Sequence, residues 1–88
     1  MIRGDAGRFS IDGTITMDNA SAVLEDGLAK FSAAEEVDLS ALGEIDSSAV
    51  SLLLEWRRAN PNLRFVGCTD SLKSLVTLYG VLDLINTG

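Results

Sequence analysis

The side chains most able to do chemistry gather in one stretch, GEIDSSAVSLLLEW, where Asp46, Ser47 and Ser48 stand directly ahead of an apolar run. Each of the three can accept hydrogen bonds from the backbone N–H groups left free in a helix's first turn, and Asp46 is the helix-cap candidate. Three such residues exceed what capping requires. The remaining hydroxyl projects at the positive end of a helix dipole, where a phosphate would be stabilised and would confront a docked partner with close to two negative charges.

Asp38, Glu44 and Asp46 are carboxylates near a strand end and a loop, where acid–base groups or Mg²⁺ ligands could lie. Nothing pairs with them in a recognisable constellation, and there is no G-x-x-x-x-G-K-[ST] phosphate loop, so they read as solvated loop carboxylates. The chain has no histidine and one cysteine, Cys68. That removes Ser-His-Asp and Cys-His nucleophile systems and the common zinc sites, and it leaves no intrachain disulfide. The expectation is a protein that is not an enzyme, with no cofactor and no metal, in a reducing compartment.

Seven Lys and Arg against thirteen Asp and Glu give a net charge of -6, and Arg57-Arg58 is the single basic pair. Such a chain is repelled by phosphate backbones and anionic headgroups, which argues against nucleic acid as a partner and against direct membrane insertion. The opening MIRGDAGRFS lacks the apolar core of a signal peptide, and no apolar run approaches the roughly 20 residues that span a bilayer. A cytoplasmic protein is expected, and any work at a membrane must go through a partner.

The elements that must hold these residues belong to one domain, residues 1–88, because a chain of 88 residues cannot close a second core. Phe9, Ile11, Ile15 and Met17 alternate around Asp12-Gly13, which predicts an opening hairpin. A helix from about Ala20 to Ser32 follows, capped by Asp18 or Asn19, with Val23, Leu24, Leu28 and Phe31 on its stripe. Gly27 lies inside it and would cost up to about 1 kcal/mol relative to Ala, which points to close backbone packing there.

Val37 to Leu39 forms a short buried strand, and a loop then reaches Asp46. The second helix runs from about Ser47 to Asn60 and is stopped by Pro61. LRFVGC is the next strand. Thr69, Asp70 and Ser71 offer caps for a third helix to about Tyr79, ended by Gly80 in the left-handed conformation. VLDLI is a last strand or a short helical turn. The order β-β-α-β-α-β-α predicts an α/β fold whose later strands are parallel through helical crossovers.

The second helix carries more apolar surface than one sheet can use. Ala49, Val50, Leu52, Leu53, Leu54, Trp56 and Ala59 span an arc of roughly 220°, where packing needs little more than about 100°. Val50 and Leu53 lie near its middle. Leu54 lies at one edge, and Leu52 and Ala59 at the other, with Trp56 just inside it. A leucine–tryptophan edge beside a polar cap has the character of a protein-docking surface.

VDLSALGEIDSSAVSLLLEW, with Asp38-Leu39-Ser40, a short loop, Ile45-Asp46-Ser47-Ser48-Ala49 and a leucine-rich helix, resembles the STAS domain. That domain is shared by anti-sigma factor antagonists and the cytoplasmic tails of sulfate-type anion transporters. The resemblance spans nearly the whole chain and implies a STAS-like single domain, with a mixed, mostly parallel sheet and helices packed on it. Anti-sigma factor antagonists typically show Asp-Ser-Ser-Gly, and an anti-sigma serine kinase phosphorylates the second hydroxyl, which falls on Ser48; Ala49 stands here in place of the glycine.

LLLEW and LVTLYGVLDLI are more similar to the MlaB-type STAS subunit of Mla phospholipid ABC transporters, which maintain outer-membrane lipid asymmetry. In that branch the hydroxyl matching Ser47, commonly a threonine, lies at the contact with the ATPase subunit. The resemblance therefore implies a non-catalytic subunit that binds and regulates or stabilises the ATPase, with Ser47, Ser48, Leu52, Trp56 and Leu78 as partner-binding residues. The alternative it implies is an anti-sigma factor antagonist switched by phosphorylation of Ser48, with an anti-sigma kinase as partner. A nucleotide-binding domain using the helix start as an anion site has no basic phosphate-contacting residue to support it.

Overall fold

A computed structural model describes residues 1–81. Strands β1 (Ile2–Asp5) and β2 (Arg8–Ile11) form an antiparallel hairpin with Ile2 opposite Ile11 and Asp5 opposite Arg8. Its two-residue turn is Ala6-Gly7, with φ of 52° and 87°. Positive φ at both turn positions matches the twist of the flanking strands, which is why so short a connection closes here. The opening hairpin therefore lies one turn earlier than the alternation around Asp12-Gly13 predicts.

Asp12-Gly13 instead hands the chain from one sheet to another. Gly13, at φ 86°, starts β3 (Gly13–Ile15), which pairs in parallel with β5 (Leu42–Ile45). Asp12 is taken up by the N-terminal ammonium at 3.2 Å and by Arg3 at 3.3 Å, while its own N–H donates to the Met1 carbonyl. The stretch Leu42–Ile45, expected as loop, is a strand. Leu42 is the one buried residue of the four, so no alternating pattern announces the strand; β3 supplies the pairing from elsewhere in the chain.

Helix α1 (Ala20–Lys30) connects to β4 (Glu36–Asp38), which lies parallel to β2. Helix α2 (Ser47–Ala59) precedes β6 (Arg64–Val66), parallel to β4, and α3 (Asp70–Leu78) follows. The larger sheet has the order β1-β2-β4-β6, and only its first pair is antiparallel. This is the mixed, mostly parallel sheet that the element order implies.

The wide apolar arc of α2 is explained by its position between α1 and α3, against which it packs on both sides. Leu52 and Trp56, placed by the sequence reading on a docking edge, are 3% and 1% exposed and belong to the core. Gly27 makes this possible. A Cβ there would overlap the Trp56 indole, so α1 leaves its backbone bare and the ring fills the space. Phe31 meets that ring edge-on at a centroid distance of 5.0 Å.

Both helix ends near this contact are tied by one buried side chain. The Asn60 Nδ2 amide donates to the carbonyls of Phe31 at 2.9 Å and Ala34 at 2.8 Å. Pro61 disfavours helical geometry in the residue before it, and Asn60 turns extended at φ -139° and ψ 90°. Helix α1 ends at Lys30 with Phe31 as its cap, short of the expected Ser32.

Thr69 caps α3 through its hydroxyl oxygen, which accepts from Leu72 N–H at 3.3 Å. At the other end, Gly80 at φ 71° donates to Thr77 O and Val81 donates to Val76 O, satisfying carbonyls the last turn would leave free. Of the expected last element VLDLI, all but Val81 lies outside the described residues.

Candidate functional site

Asp46 takes the N-cap position of α2 in extended conformation, and its two oxygens have different tasks. Oδ1 accepts from Ser48 N–H at 2.8 Å, closing the first turn. Oδ2 accepts from Met17 N–H at 3.0 Å, fastening the loop between β3 and α1 to the same helix head. The Ser48 backbone N–H holds the Asp46 carboxyl below the ordinary value of 3.8; desolvation opposes it in part, and the Met17 N–H and the Ser48 hydroxyl add smaller lowering contributions. The spacing of Asp46 and Ser48 announces the cap, whereas nothing in the sequence announces Met17 as its second ligand.

With Asp46 committed to the backbone, the serines divide. Ser47 is exposed at the start of α2, while Ser48 is half-buried beside the carboxylate. Ser47 and Ser51 lie one turn apart and, with Val50, Leu54, Tyr79 and Val81, line an open groove of about 310 Å³ between α2 and the end of α3. Leu54 is 40% exposed, Tyr79 54% and Leu78 76%. Thus the apolar surface beside the polar head comes from Leu54 and Tyr79, and not from Leu52 and Trp56, while Leu78 lines a separate open depression with Lys73, Ser74 and Thr77. The exposure of Leu54 marks the arc edge that faces neither helix nor sheet.

The loop carboxylates form no joint site. Asp38 Oδ1 accepts from Ser40 N–H at 2.9 Å, and the Ser40 N–H and hydroxyl together lower its pKa. Among the described residues no group of three or more His, Cys, Asp or Glu side chains could hold a metal ion. Burial pushes the Cys68 thiol up, with Lys73 opposing only in part, so little nucleophilic thiolate is present. Among the described residues no helix is long and apolar enough to cross a membrane.

What the head of α2 offers is a hydroxyl edge, Ser47 and Ser51, bordered by apolar side chains, with the Asp46 carboxylate committed to backbone N–H groups, which suits recognition rather than bond-making. The family model described as "Mlab, STAS domain" matches residues 2–86. The chain belongs to this STAS family. Curated proteins yield no match to its sequence. Among solved structures, the STAS domain is similar to the anti-sigma factor antagonist SpoIIAA in its unphosphorylated form, at a TM-score of 0.65 and 15% identity. That likeness covers 97% of this chain and 84% of the other, and at such identity it establishes the fold. STAS domains are protein-interaction modules, and the match is to no catalytic family.

Proposed function

We propose that this STAS domain is a non-catalytic cytoplasmic subunit that binds the nucleotide-binding ATPase of a phospholipid-transporting ABC system maintaining outer-membrane lipid asymmetry. The observation that carries the reading is the groove at the α2 head, where exposed Ser47 and Ser51 stand beside Leu54 and Tyr79. Its family supports the choice of partner. By binding one conformation of the ATPase better than another, the subunit stabilises the assembled transporter and shifts its activity, to the extent of that difference in affinity. It reaches the inner membrane only through this partner.

A second reading, a phosphorylation switch in a sigma-factor partner exchange, draws support from the fold shared with SpoIIAA and from Ser48 at a helix N-terminus. A phosphate on Ser48 would gain from the helix dipole but lie beside the Asp46 carboxylate, whose charge opposes it.

Titration against the purified transporter ATPase tests the first reading. Tight binding is expected, with Ser47→Arg abolishing it at unchanged melting temperature. Stoichiometric phosphorylation of Ser48 by an anti-sigma kinase, with no affinity for the ATPase, would overturn it in favour of the switch.

A further inference from the structure

We infer that Met17 is an anchor of the partner-binding surface, presented on a preorganised loop, and that the ATPase segment receiving it is an apolar socket edged by basic side chains. The inference rests on the reading that the ATPase is the partner, and it extends the surface across the α2 head.

Met17 has 79% of its surface exposed, more than the other large apolar side chains described. A single exposed methionine is unremarkable on a mobile loop. This loop is instead fixed by bonds at four successive backbone amides. Thr16 N–H donates to Asn19 Oδ1 at 3.0 Å, Met17 N–H to Asp46 Oδ2 at 3.0 Å, Asp18 N–H to Thr16 Oγ1 at 3.4 Å, and Asn19 N–H to Thr16 O at 3.1 Å. The Asn19 Nδ2 amide donates in turn to Thr14 O at 2.8 Å.

Asn19 stands at the α1 N-cap without capping it, because its side chain is spent on this loop. The backbone beneath Met17 therefore pays little ordering entropy on docking, while its thioether chain adapts to the surface it meets. Since Asp46 binds both Met17 N–H and Ser48 N–H, the loop and the α2 head move as one piece.

Charge names the kind of partner. Asp18 follows Met17 directly, and Glu44 lies two residues before Asp46; both are exposed. Between Arg8 and Arg57 the one basic residue is Lys30, and its ammonium is engaged with Asp26 at 3.0 Å. Asp18 and Glu44 are thus exposed acids close to the α2 head in a chain of net charge -6, and a complementary partner brings Lys or Arg to its rim.

The experiment measures affinity and association rate of the full chain for the purified transporter ATPase, with melting temperatures as control. Met17→Ala is expected to melt as the native chain does and to lose at least about tenfold in affinity. The double variant Asp18→Lys, Glu44→Lys is expected to associate about tenfold more slowly at low salt, with the difference fading as salt screens it. If Met17→Ala binds within about twofold of the native chain while Ser47→Arg does not bind, the anchor is refuted and the ATPase reading stands. If the native chain has no affinity for the ATPase, both fall together.

Discussion

The Trp56 indole lies against the backbone of Gly27, and its Nε1–H donates to the Leu24 carbonyl at 3.1 Å. The most polar atom of the largest core side chain is thereby satisfied inside the α1–α2 contact, which lets the ring be buried almost completely. This contact turns one edge of α2 away from solvent and leaves Leu54 on the open edge.

Gly27→Ala places a methyl group against a rigid ring. Overpacking costs about 1–3 kcal/mol, against the gain of up to about 1 kcal/mol that Ala brings to a helix interior. A net loss of about 1–2 kcal/mol is expected in urea denaturation. Combining it with Trp56→Leu should cost less than the sum of the single changes, because the clash exists only while the indole is present. Strict additivity would show that the two residues do not share the space.

The two edges of α2 should respond in opposite ways to truncation. Leu52→Ala opens a core cavity and is expected to cost about 2–5 kcal/mol. Leu54→Ala, on the groove wall, should stay within about 0.5 kcal/mol of the native stability and weaken binding to the ATPase. Calorimetric melting and a binding titration on the same samples check both. A stable Leu52→Ala variant with impaired binding would return the docking edge to the other side of the helix.

Stability should fall with acid through the carboxylates bound by backbone N–H groups. Asp46 and Asp38 both have pKa values lowered in the folded chain, so each contributes stability present above the ordinary value of 3.8 and lost as pH drops through the lower folded value. Asp46→Asn keeps an acceptor and removes the charge. Its urea midpoint is expected to lie below the native one near neutrality, with the gap closing below pH 3.8. A gap that stays constant across that range would mean that charge plays no part in the cap.

Much of the architecture was legible because its signals are local. Gly27 announced close packing, Pro61 the end of α2, and Gly80 the left-handed end of α3. The signals that misled were local too. Asp12-Gly13 has the composition of a hairpin turn, yet Ala6-Gly7 closes the hairpin and Gly13 diverts the chain into β3.

A helical wheel shows how wide an apolar arc is but not which neighbour covers each edge. Leu52 and Trp56 therefore looked available until α1 was in place. At the site, the Asp46–Ser48 cap is a two-residue pattern that a sequence displays. The bond from Met17 spans 29 residues and joins the segments that the β3–β5 pairing brings side by side, so no spacing encodes it.

Asn60 has a consequence for how the molecule opens. Its amide reaches the carbonyls of Phe31 and Ala34 across 29 and 26 residues, so those bonds exist only while α1 and α2 are docked. Neither helix can fray from this end without breaking the other's anchor. The last-turn amides of Phe31, bonded to Gly27 O, and of Asn60, bonded to Trp56 O, are thereby joined in one cooperative unit and should exchange with solvent deuterium through a common opening. The end that holds Asn60 thus opens as a unit, and at the opposite end of α2 the Asp46 carboxylate couples the Met17 loop to the helix head in the same way.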